Sequence, residues 1–183
     1  FVIVDPAYQD VADEMTTAAS YLQTSYGAAY YPNIIIADPT TQAPGATRSI
    51  APGGAVAAAY IGTDASRGVF KAPAGYSARI AGAISVTPLS TADLDSLNSA
   101  SAAVNAIRYL PGAGIVVFGS RTIKPGYVDR YVPVRRSLIY IEKSLKDLTR
   151  FAIFEPNDPR LWSLIRATVN SFLTGFWTQG GLS

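Results

Sequence analysis

Cysteine and histidine are both absent from the 183 residues. Without cysteine there is no disulfide framework and no thiol chemistry. Without histidine the chain loses the usual general base near neutral pH, the common zinc ligand and the Ser-His-Asp and Cys-His nucleophile systems. Charge is sparse too: Asp, Glu, Lys and Arg make up 15% of the chain against 49% hydrophobic residues, which leaves a lightly charged surface. Such a surface suits a protein packed against other protein, or an ordinary crowded α/β core, and composition leaves both open. No apolar run approaches the roughly 18 residues of a membrane span. No signal peptide is visible; the sequence begins with Phe1 and reads as a piece of a longer protein.

What charge there is lies unevenly. Residues 1–106 carry four basic and eight acidic side chains, residues 107–183 eleven basic and five acidic, for an overall +2. Halves of opposite sign favour head-to-tail attraction between copies. A chain of this length buries roughly 70% of its unfolded surface, enough for a core without staples.

Residues 9–32 read as one helix, with Val11, Met15, Ala18, Ala19 and Leu22 at helical spacing, Asp10 and Asp13 at its start and Pro32 as its stop. "NIIIAD" (33–38) reads as a short buried strand, and its alternation with helices predicts a parallel α/β layer. Residues 39–54 read as an exposed Pro/Gly/Thr connection. An Ala-rich helix follows from Ala55 to about Ser66, closed by Gly68, and residues 76–90 read as a strand ending at Pro88. Ser90 and Asp93 have capping-box spacing for a short helix, and residues 104–123 read as two strands around Pro111-Gly112.

The cleanest helix is 132–151. Val134, Leu138, Ile141, Leu145 and Leu148 form its apolar stripe, opposite Arg135, Arg136, Glu142, Lys143, Lys146, Asp147 and Arg150. Glu142–Lys146 and Lys143–Asp147 fall at i,i+4. A last helix spans about 159–178, with Asp158 as N-cap, Pro159 at its first position and Gly180-Gly181 at its end. The fold class is therefore mixed α/β: a short central sheet packed by helices, with a C-terminal helical hairpin.

Chemical motifs are weak. Gly112-x-Gly114 precedes β-branched residues and so opens a strand, whereas a dinucleotide fingerprint follows one and opens a helix. Asp93 and Asp95 have a calcium-loop rhythm, but Asn98 stands at the sixth loop position in place of glycine. Asp10, Asp13 and Glu14 would serve glycoside or phosphoryl chemistry only if a cleft gathered them; at a helix start they are stabilised anyway. Lys124, Arg130, Arg135 and Arg136 form a basic cluster without interleaved aromatics, a weak nucleic-acid signal. In "IFEPNDPRLW" (153–162), Glu155 reads either as a buried acid beside Phe154 and Trp162 or as a structural residue at a helix junction. No histidine, cysteine or free carboxylate accompanies it, which favours the junction, with Arg135 or Arg136 as its expected ion-pair partner.

Six stretches stand in a familiar order: "YGAAYYP" (26–32), "IAPGGAVAAAYIGTDASRGVFKAPAG" (50–75), "NAIRYLPGAGIVVFGSRTI" (105–123), "YVPVRRSLIYIEKSL" (131–145), "FEPNDPRLWSLI" (154–165) and "FLTGFWTQGGL" (172–182). Together they resemble the contractile tail sheath proteins of bacteriophages and related injection machines. Phe70 and Phe118 replace tryptophans of that pattern, Ser120 an alanine and Gly75 an asparagine. The resemblance implies that residues 1–106 are the middle part of the sheath core, the end of a preceding α/β region plus a linker. Residues 107–183 would then start the conserved C-terminal sheath domain of a longer protein.

It further implies a structural subunit, not an enzyme, with no catalytic residue, cofactor or metal. Such subunits polymerise helically around a tail tube and contract to drive it through the target envelope, on energy stored between two packings of the same chain. Implied partners are other copies, the tail tube protein, and baseplate and tail terminator proteins, without nucleic acid or membrane insertion. The implied location is a virion tail or tail-like particle assembled in the host bacterial cytoplasm. Arg135, Arg136, Glu142, Lys143, Lys146, Asp147 and Arg150 become candidate inter-subunit or tube contacts, and Glu155, Pro156, Asn157 and Asp158 a structural hinge. A carboxylate-based hydrolase around Asp10, Glu14 or Asp93 and a basic nucleic-acid module are the alternatives.

Overall fold

A computed structural model describes residues 1–5, 12–41, 43–98, 102–124, 126 and 129–182. The central sheet takes the order β1 (Val2–Val4), β2 (Gly27–Tyr31), β6 (Val104–Leu110), β7 (Gly114–Val117). β1 and β2 run parallel with Val2 opposite Gly27, and β2 and β6 parallel with Ala29 opposite Val104. β7 turns back antiparallel on β6 through Pro111-Gly112, the turn expected there. β6 runs through residues 106 and 107, so this sheet is common to both halves of the chain.

β2 corrects the first expectation. The helix α1 (Ala12–Ser20) stops well short of Pro32, and Gly27–Tyr31 is a strand whose five residues are all buried. Ala28 and Tyr30 face a core shared with α2 (Gly53–Arg67), while Ala29 and Tyr31 face one shared with α1 and α3 (Thr91–Leu97). A strand covered on both faces needs no polar alternation and reads as a continuous apolar run. The result is three layers, helix on sheet on helix. Gln9, Asp10 and Val11 of the expected helix lie outside the described residues.

A second sheet, β4 (Thr47–Ile50), β3 (Ile34–Ala37), β5 (Ala83–Val86), is antiparallel throughout. The isoleucine strand therefore does not join the parallel layer, and only Ile34 of it is buried. Its neighbour β4 occupies part of the expected 39–54 connection. The expected 76–90 strand is shortened to β5, because residues 75–80 instead cap the open edge of β7 through Ile80 N–H to Ile115 O (2.9 Å) and Val117 N–H to Ala78 O (3.0 Å).

Two side-chain devices set this frame. Ser90 and Asp93 close a reciprocal capping box on α3, as their spacing predicts. Asn105, 3% exposed, ties three backbone groups together: its Nδ2 donates to Ala29 O (3.1 Å) and Arg121 O (2.8 Å), and its Oδ1 accepts from Arg121 N–H (2.7 Å). Gly119 makes that approach possible, since a Cβ there would sit 2.7 Å from Asn105 Oδ1 and 3.0 Å from the Asn105 Cα. Asn105→Ala strands these buried groups and is expected to cost about 3 kcal/mol in urea unfolding. A loss below about 1 kcal/mol would show that water replaces the amide there.

Candidate assembly surface

The C-terminal hairpin consists of α4 (Val132–Leu148), a short 3-10 turn (Arg150–Phe154) and α5 (Pro159–Thr178). Little of it is buried: Val132 and Ser137 in α4 and Phe176 in α5. Val132 enters the core beside Val56 and Ile107. The next anchors are charged. Arg136 grips Asp64 of α2 with both guanidinium nitrogens, Nη1 to Oδ1 at 2.8 Å and Nη2 to Oδ2, and lies 4.7 Å from the centre of the Tyr60 ring. Tyr60 shares a hydrogen bond with Tyr30 of β2, so the contact is tied to the middle of the sheet. Burial pushes the Tyr60 hydroxyl up to about 12 and Tyr30 well above its ordinary value, so both stay protonated.

Arg135, about a third of a turn away, reaches the other flank. It pairs with Asp129 at 2.5 Å and stacks 4.6 Å from the Tyr26 ring centre. Consecutive arginines thus pin the base of α4 on two sides. Beyond them the hairpin is held by an aromatic cluster, Phe176 against Phe70 (5.8 Å) and Tyr140 (5.5 Å), with Phe172 stacked on Phe176 at 6.4 Å.

These contacts correct the sequence reading of the charged face. Arg135 and Arg136 do not project outward with the rest; their guanidiniums are turned inward and their side chains are only 12% and 15% exposed. Helical periodicity places the Cα atom, and a long arginine stem carries its head group elsewhere. Nor does either pair with Glu155, which is exposed and forms no side-chain hydrogen bond or ion pair among the described residues. At the same junction Asp158 caps α5, accepting from Leu161 N–H at 2.8 Å, and Asn157 accepts from the Trp162 indole at 2.6 Å. Glu142, Lys143, Lys146, Asp147 and Arg150 are exposed. Among the described residues Asp147 pairs with Arg150 at 3.1 Å, and neither expected i,i+4 pair forms.

The apolar stripe of α4 is only partly covered, with Val134, Ile141 and Leu145 half-buried. Leu138 and Leu148 are exposed, as are Phe151, Ile153 and Phe154 in the turn and Trp162, Leu164 and Trp177 on α5. So broad an apolar surface marks a place where further protein packs, either the rest of a longer subunit or another copy.

The alternatives find no support among the described residues. Asp93 is spent on the capping box, whose hydrogen bonds hold its carboxyl below the usual range, the reverse of a proton donor poised in a cleft. Glu14 lies exposed on α1, and Asp10 is outside the described residues. Of the basic cluster, Lys124 and Arg135 share Asp129, Arg136 is neutralised by Asp64 and Arg130 lies over Tyr131, so these four form no continuous basic groove among the described residues.

No protein-family model and no curated protein sequence matches the chain. Solved structures do. In the contracted sheath complex of an extracellular contractile injection system, PVC, a chain 32% identical aligns over 100% of this chain and 50% of its own length, with a TM-score of 0.86. The contracted helical sheath of the anti-feeding prophage aligns at 30% identity over 98% and 46%, with a TM-score of 0.76. A chain of that prophage's baseplate, six-fold symmetrised, aligns at 32% over 86% and 40%, with a TM-score of 0.74. The chain belongs to the contractile tail sheath family. It spans about half the length of the sheath-family chains it matches.

The clamp is drawn from the stretches that carry the family resemblance. Tyr26 and Tyr30 come from "YGAAYYP", Tyr60 and Asp64 from "YIGTD", and Arg135-Arg136 from "VPVRRSL". Periodicity flagged those arginines but not their partners, which lie 72 residues away for Asp64.

Arg136→Ala is expected to lose about 2 kcal/mol, with Asp64→Asn similar and the double variant little worse than either, in denaturant unfolding. Additive losses would mean that the two side chains act separately. Arg135 gives a pH signature. Hydrogen bonding from its guanidinium holds the Asp129 carboxyl below its ordinary 3.8. The stabilisation is therefore complete above that value and is lost as pH falls through the lowered one. Amide exchange in the first turns of α4 should accelerate there, and Asp129→Asn should abolish the transition.

Proposed function

We propose that this chain is the core of a structural sheath subunit, which polymerises helically around a tail tube and contracts to drive the tube through a target envelope. The observation that carries this reading is the alignment of the whole chain, at a TM-score of 0.86, with a sheath complex in its contracted state. The uncovered apolar hairpin supports it, as does the want of histidine and cysteine chemistry.

In this reading the chain's partners are its own copies, the tail tube and the baseplate and terminator proteins of a tail or tail-like particle assembled in the host cytoplasm. It is not an enzyme, and its work comes from the difference between two packings. Residues 1–106 and 107–183 correspond to the middle core and the start of the C-terminal sheath domain. Glu142, Lys143, Lys146, Asp147 and Arg150 form the charged contact rim, where each exposed pair is worth about 0–1 kcal/mol. Arg135 and Arg136 serve that rim indirectly, by fixing the base of α4. Residues 155–158 set the angle between the two helices of the hairpin.

Negative-stain electron microscopy of the full-length protein, alone and with its cognate tube, tests this. Hollow striated sleeves or stacked rings are expected. Monomers in the presence of the tube would refute the sheath reading.

A further inference from the structure

Two features of the hairpin complement each other and lie too far apart to meet within one molecule. Between α2 and the base of the hairpin runs a groove of about 700 Å³, walled by Ile61, Phe70, Ile139, Tyr140 and Phe176, with Lys143 on its rim. Arg136 also borders it, but its charge is neutralised by Asp64, which leaves Lys143 as the charged side chain there without an ion-pair partner among the described residues. At the far tip of the hairpin, Phe154 is 96% exposed, the highest value among the described large apolar residues. Ile153 beside it is 69% exposed, and Glu155 follows with its carboxylate unpaired among the described residues. About 13 helical residues separate Tyr140 from the tip, which at 1.5 Å each is roughly 20 Å.

We propose that the Ile153-Phe154-Glu155 tip of one copy docks in the α2–hairpin groove of a second copy. Phe154 enters the aromatic cluster of Phe70, Tyr140 and Phe176, and Glu155 meets Lys143. The groove offers what the tip lacks: aromatic walls for an uncovered ring and one cation for one carboxylate. Knob and socket lie on different parts of the surface, so the contact is heterologous, and repeating it builds a ring or an open helix instead of a closed pair. The proposal rests on the sheath reading and names an interface within it.

These 183 residues contain no cysteine, so thiols can be placed at chosen positions in them, any cysteine elsewhere in the full-length protein being replaced by serine first. Phe154→Cys and Ile61→Cys variants of the full-length protein are mixed, assembled with the cognate tube and treated with a short bismaleimide. A covalent dimer that needs both variants is expected, and none when Tyr109→Cys, also exposed but remote from the groove, replaces Ile61→Cys. Phe154→Ser should keep the wild-type unfolding midpoint, because the ring covers nothing among the described residues. It should raise the concentration for half-assembly at least about tenfold. Glu155→Lys should weaken assembly and Lys143→Glu in the same chain restore it. Particles that form without the 154–61 dimer, and at the wild-type concentration for Phe154→Ser, would overturn the interface while leaving the sheath reading intact. Cross-linking of residue 154 to the tube protein would overturn it equally. Absence of particles from every variant and from wild type would remove both.

Discussion

The bidentate pair between Arg136 and Asp64, seated on the ring of Tyr60, is the contact on which the layout of the C-terminal half depends. A helical hairpin of this length would ordinarily attach through the apolar stripe of its first helix, and here Leu138 and Leu148 of that stripe are exposed and the rest is only half-buried. Attachment is concentrated instead at the first turns of α4, where Val132 enters the core and two arginines reach to opposite flanks. Lysine would not substitute at Arg136. Only a planar fork meets both carboxylate oxygens while its face lies on an aromatic ring.

Tyr60 extends that contact inward. Its ring supports the guanidinium, and its hydroxyl bonds to Tyr30, whose strand is covered by helices on both sides. A load on the hairpin is therefore passed through arginine, ring and hydroxyl to a strand whose five residues are all buried. Cation–π stacking of this kind is worth about 0.5–2 kcal/mol, comparable to a partly buried ion pair, so the two together fix an angle that neither would fix alone.

Legibility in the sequence followed the range of the determining interaction. α3, α4 and α5 were readable because their starts and stops are local: a capping box, proline at the first turn, Asp158 as cap and glycine beyond the end. β2 was not, because "GAAYY" has no alternation and alanine carries high helix propensity; what makes it a strand is burial on both faces by segments far away in sequence. β4 was missed because Thr-Arg-Ser is mostly exposed and is a strand only through its pairing with β3. The apolar run of β3 was legible, but its antiparallel partners were not. Helical spacing places Arg135 and Arg136 on α4 but not their partners, since Asp64 and Asp129 reach them only once α2 and the stretch carrying Asp129 are folded against α4.

Turning two arginines inward also changes what the hairpin offers to its surroundings. The exposed charges on α4, the turn and α5 are then five cations, Lys143, Lys146, Arg150, Arg160 and Arg166, against four carboxylates, Glu142, Asp147, Glu155 and Asp158. The excess positive charge of residues 107–183 is thus mostly absent from this surface, and long-range attraction between halves of opposite sign is correspondingly weak here. What the hairpin presents is short-range: aromatic and aliphatic side chains that attract only at contact, with nearly balanced charges that select register. An interface of that kind holds neighbours firmly once seated and imposes little force while they are apart. That combination is what the proposed sheath function asks of its subunits, which would leave one packing and settle in another.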